Sequence, residues 1–98
     1  MIIRVFRAIV RDGKQEAFER FFFDTALPIL KSQRGMLKVS IGTPMSASPN
    51  EFLMITTWAD LEALQRFAGT NWQEAVIDPK EAPLLRKTFV HHYEGADV

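Results

Sequence analysis

The first ten positions are apolar almost without interruption. Ile2 to Arg11 reads as a strand rich in β-branched and aromatic residues. Its two alternating sets are Ile3, Val5, Arg7, Ile9 and Arg4, Phe6, Ala8, Val10. Both are largely apolar, which predicts a strand covered on both faces. Asp12-Gly13 ends it with a turn signal. From Lys14 to Asp24 the period becomes helical, with Ala17, Phe18, Phe21 and Phe22 on one face. Pro28 is expected to break that helix and to open a second, short one, capped by Asp24 or Thr25 and ending near Gly35.

Met36 to Gly42 alternates again, with Leu37, Val39 and Ile41 facing one way and Lys38 and Ser40 the other. A loop rich in Ser, Pro and Asn leads to a strand over Glu51 to Trp58. There Phe52, Met54, Thr56 and Trp58 share one face, and Leu53, Ile55 and Thr57 the other. Asp60 is placed to cap a helix carrying Leu61, Ala63, Leu64, Phe67 and Ala68, which Gly69 stops. Asn71 to Ile77 has room for one or two further helical turns before Asp78-Pro79, and Arg86 to Glu94 is the last strand.

The order β-α-β-β-α-β is the split βαβ pattern of a ferredoxin-like α+β fold. It predicts one domain over residues 1–98, with a four-stranded antiparallel sheet, a central first strand and helices on one face. A central strand apolar on both sides then calls for a second cover, and a second copy of the chain is the simplest one.

Composition narrows the class. Twelve basic and twelve acidic residues cancel, which leaves no basic stripe for nucleic acid. No apolar run approaches the roughly 20 residues that span a bilayer. Charges at Arg4 and Arg7 interrupt the leading apolar stretch, unlike a signal peptide, so a cytoplasmic location without membrane contact is expected. There is no cysteine to form a disulfide or a thiolate metal site.

Several stretches together resemble the antibiotic biosynthesis monooxygenase (ABM) family, over nearly the whole length. They are Ile3-Arg4-Val5-Phe6-Arg7-Ala8, Leu27-Pro28-Ile29-Leu30 leading to Gly35-Met36-Leu37, and Phe52 to Trp58. Ala63 to Gly69 and His92-Tyr93 complete the match. The resemblance implies a homodimeric α/β barrel in which two sheets pack face to face, with a pocket between sheet and helices in each subunit. It also implies oxygenase chemistry on polycyclic aromatic phenols without metal or flavin, quinol oxidation, or haem degradation. In the haem-degrading branch a ligand histidine is needed near Ile77, and no histidine lies between Met1 and Val90, which speaks against that branch.

Few residues are candidates for chemistry. His91 and His92 are adjacent, so on a strand they face opposite ways and do not form a two-histidine metal site. Either is a satisfied residue at a strand end or a base near neutral pH; the His-Tyr resemblance favours His92. Arg7, midway along the central strand, needs a carboxylate or a dimer partner, or else holds an anionic or phenolate substrate. Arg4, nearer the strand start, is expected to reach water more easily. Trp58 is a core anchor or a platform for a flat substrate, and Tyr93 packs inward or donates to a substrate oxygen. Trp72, beside Asn71, is assigned with it to the pocket entrance or a dimer contact. The remaining carboxylates form no recognisable acid-base pair, and no phosphate loop or nucleophile elbow is present.

Two functions follow. One is a cofactor-independent monooxygenase or quinol oxidase acting on a phenolic small molecule, with His92 and Arg7 catalytic and Trp58, Trp72, Tyr93 and Asn71 binding substrate. The other is a non-catalytic dimeric small-molecule-binding or stress-response module of the same fold.

Overall fold

In the computed structural model, which describes all residues from Met1 to Val98, strand β1 (Ile2–Val10) occupies the middle of one sheet. Strand β3 (Glu51–Trp58) pairs with it on one side, from Ile2 opposite Trp58 to Ile9 opposite Glu51. Strand β4 (Leu85–Glu94) pairs on the other, with Arg4 opposite His92 and Arg7 opposite Phe89. Strand β2 (Met36–Gly42) closes the order β2-β3-β1-β4, antiparallel throughout. This is the ferredoxin-like α+β arrangement, with β1 central.

One sheet face carries all the helices. Helix α1 (Gln15–Phe21) passes through a π-helical turn (Phe22–Ala26) into α2 (Leu27–Lys31) without a break. The expected caps at Asp24 and Thr25 are absent, and neither segment starts with a side-chain cap. The physical reason is the wider turn: the Leu27 N–H donates to the Phe22 carbonyl five residues back. That widening lets Pro28, which has no N–H, enter without ending the helix.

Helix α3 (Leu61–Ala68) starts as expected, with Asp60 Oδ1 accepting the Ala63 N–H at 2.8 Å, and ends at Gly69. The expected turns over Asn71 to Ile77 are not helical; that stretch is an irregular strap leading to a 3₁₀ turn (Ala82–Leu84).

The core lies between sheet and helices. Phe18 packs on Phe22 and Phe52 at ring-centre distances of 4.6 and 4.8 Å, with Ala8, Val10, Leu30 and Leu64 around them. These rings anchor the continuous helix to β3. In β2 the pairing slips by one residue between Met36 and Lys38. Met36, Val39 and Ile41 pack against the core, and Leu37, expected on that side, turns outward and is exposed. An extra residue in a strand reverses the facing of whatever precedes it.

The second sheet face has no helix. Ile3, Val5, Ile9, Leu53 and Ile55 lie on it, all half-buried in the single chain. No helix of the chain is long and apolar enough to cross a membrane.

Candidate functional site

Between the sheet and the helical layer lies a cavity of about 180 Å³. Phe6 from β1 and Met54 from β3 form its floor, Phe21, Phe22 and Leu30 one wall, and Phe67 of α3 with Val76 and Ile77 of the strap another. Four polar residues interrupt this lining: Arg4, Thr56, Asp78 and Glu81. A dry cavity of roughly 150 Å³ accommodates benzene, so this volume suits one substituted ring.

Alternation along β1 and β3 delivers Arg4 and Thr56 to the cavity, because both sit on the helix-covered face beside Phe6 and Met54. Arg4 does not reach water as expected: it is 5% exposed. Its Nη1 donates to the Trp72 carbonyl and lies 3.0 Å from His92 Nε2, and its Nη2 donates to the Glu74 carbonyl at 2.9 Å. Arg4 thereby fastens the strap to the central strand. Burial lowers its pKa to about 10, which leaves it cationic at neutral pH.

Glu81, just before the 3₁₀ turn, also lines the cavity, at 4% exposure. Its Oε1 accepts the Asp78 N–H at 3.0 Å, and the Glu81 N–H donates to the Asp78 carbonyl at 3.0 Å, a small ring that aims the carboxyl inward. Burial pushes this carboxyl up to about 7; the backbone bond from Asp78 opposes the rise and the Asp78 charge adds to it. Arg4 and Glu81 make no ion pair, the chain's three salt bridges lying elsewhere. Two buried ionisable groups thus border one apolar cavity without neutralising each other. Thr56 Oγ1 accepts the Trp58 Nε1–H at 2.9 Å, which leaves its own proton to donate.

The residues singled out from the sequence do not meet here. Arg7 lies on the helix-free face, where its Nε donates to Glu51 Oε2 at 3.0 Å and its guanidinium sits 4.6 Å from the Phe89 ring centre. Sheet alternation puts it on the opposite side from the cavity. Trp58 is 0% exposed, a core anchor stacked on Phe67 at 5.3 Å, so Phe67 and not Trp58 supplies the ring at the cavity wall. Tyr93 is 56% exposed and lies on the helix-free face.

His92 does point toward the helical layer, opposite to His91, and meets the Trp72 ring edge-on at 4.8 Å. It contacts Arg4 but does not line the cavity. Trp72 and Asn71 belong to the strap; Trp72 is half-buried against His92, while Asn71 is exposed and accepts the Glu74 N–H. Arg4 and Glu81 are the functional candidates missed from sequence. For Glu81 a faint signal exists, one acid among Ala82, Pro83, Leu84 and Leu85.

A four-stranded ferredoxin-like sheet, covered on one face by helices and enclosing a small apolar cavity with buried ionisable groups, defines a class of compact α+β pocket proteins. Within that class, residues 1–78 match the profile of the Antibiotic biosynthesis monooxygenase family, and the chain belongs to it. No curated protein matches the sequence.

Among solved structures, the chain is similar to a variant of SnoaB, described as a cofactor-independent oxygenase from Streptomyces nogalater (20% identity, 99% of this chain, 94% of that one, TM-score 0.73). It is also similar to a putative antibiotic biosynthesis monooxygenase from Nitrosomonas europaea (15%, 97% and 98%, 0.77). A third similar structure is a protein from Shewanella oneidensis (15%, 94% and 87%, 0.77). At these identities the likeness is one of fold.

Proposed function

We propose that the protein is a cofactor-independent monooxygenase acting on a single-ring phenol, with Glu81 as the acid-base group and Arg4 and Thr56 as the anion holders. One observation carries this reading: Glu81 and Arg4 are both buried, unpaired with each other, and border the same apolar cavity. A base is most useful when its pKa lies near the working pH, and a carboxyl raised to about 7 meets that condition.

Ionised Glu81 takes the phenol proton, and Arg4 with the Thr56 hydroxyl holds the phenolate oxygen. The electron-rich ring carbon para to that oxygen forms a bond to dioxygen, and Glu81 returns the proton to the peroxide. Loss of the ring C–H proton and of hydroxide then gives a quinone and water. One oxygen atom enters the product and the other leaves as water, with all four electrons drawn from the ring. The apolar lining keeps bulk water away from the peroxide.

The helix-free face supports a homodimer as the working form. Ile3, Val5, Ile9, Leu53 and Ile55 make a broad apolar surface of the kind that subunits cover.

Purified protein given single-ring phenols should consume oxygen and form the quinone in equal amounts, and Glu81→Gln should slow both by roughly a hundredfold or more. Ligand binding with no oxygen uptake across such a panel would instead favour the non-catalytic binding module.

A further inference from the structure

Arg4 has donors to spare. A guanidinium carries five N–H groups. Three contacts account for both Nη1 hydrogens and one on Nη2. The Nε–H and the second Nη2–H have no partner in the chain, although the residue is buried and borders the cavity. No fully enclosed side-chain nitrogen or oxygen is left without a partner, so the spare Nε–H reaches open space. Thr56, directly opposite Arg4 across the β1–β3 ladder and on the same sheet face, adds a hydroxyl proton that nothing in the chain accepts.

Three unspent donors beside a cavity lined mostly by rings and aliphatic groups describe a seat for a planar oxyanion. These donors open onto the cavity, and a carboxylate satisfies a guanidinium edge with two parallel charge-assisted bonds. Glu81 lines the same cavity and is available to the ligand's hydroxyl. We infer that the occupant is a monocarboxylated single-ring phenol, its carboxylate on Arg4 and Thr56 and its hydroxyl toward Glu81. This rests on the oxygenase reading for the role of Glu81, and it reassigns the anion held at Arg4 from the phenolate alone to a permanent charge on the substrate.

Isothermal titration of the intact protein with 3-hydroxybenzoate, whose carbon para to the hydroxyl still bears hydrogen, and with its neutral isostere 3-hydroxybenzamide tests this without any mutation. The acid should bind roughly tenfold or more tightly than the amide. Arg4→Lys, which keeps the charge but loses the planar fork, should bring the acid down to the amide's affinity. Equal affinity for acid and amide, or acid binding untouched by Arg4→Lys, would overturn the inference. A clear preference for the acid with no oxygen uptake from any phenol would leave the inference standing and remove the oxygenase reading beneath it.

Discussion

Arg4 Nη1 lies 3.0 Å from His92 Nε2, and only one proton arrangement suits that contact. A guanidinium donates and never accepts, so His92 Nε2 is the acceptor and its single proton resides on Nδ1. Burial lowers the His92 pKa below its usual 6.5, and the charges of Arg4 and His91 lower it further. Nitrogen NMR should find the Nδ1–H tautomer at neutral pH and a titration midpoint under 6.5. A midpoint above that value would mean that the Arg4 contact is absent in solution.

The same contact sets a sign for stability. The unfolded chain binds a proton at His92 before the folded chain does, so stability present above pH 6.5 is lost as pH falls toward the folded pKa. His92→Gln, which still offers Arg4 an acceptor, should flatten that part of the pH–stability curve in urea titrations.

Glu81 acts in the opposite direction. Its folded pKa of about 7 exceeds the ordinary 4.5, so its contribution is complete below 4.5 and is lost as pH rises through 7. The loss is on the order of 2 kcal/mol once partial solvent screening is allowed for. Glu81→Gln should remove it, which unfolding at about pH 5 and about pH 8 checks directly. The two windows overlap, so the wild-type curve mixes opposing slopes and only the single variants separate them.

Gly35 adopts φ +86°, and a Cβ there would stand 2.6 Å from Ala63 Cβ. Gly35→Ala forces both an unfavourable backbone and a clash between the α2–β2 turn and helix α3. The expected cost is about 2 kcal/mol or more, read as a lowered urea midpoint.

Val5 lies in the middle of the helix-free face. Val5→Arg should yield a folded monomer in sedimentation while the wild type sediments as a dimer. A wild-type monomer at micromolar concentration would count against the dimer.

Much of this architecture is legible in the residues. Alternation located the four strands, Asp60 marked the start of α3, and the doubly apolar β1 pointed to a central strand. The phase of that strand was another matter. Each of its two faces carries a single arginine among apolar residues, and nothing local says which face the helices cover. Arg7 drew attention for its central position, yet the covered face holds Arg4, and the exchange moves the candidate site to the other side of the sheet.

Glu81 was harder still. It follows an irregular strap with no periodicity, and its burial depends on where that strap lands over β1, a relationship between residues 68 and 70 positions apart. Leu37 illustrates the local counterpart: one bulged residue reverses its facing, and composition carries no sign of the slip.

The pH dependence of kcat/KM for oxygen-dependent phenol oxidation tests the central claim most directly. The rate should rise with pH through about 7 as Glu81 ionises, and Glu81→Gln should lower it by roughly a hundredfold or more and abolish that rise. A profile flat across that range, or one that Glu81→Gln leaves unchanged, would contradict a catalytic base at Glu81.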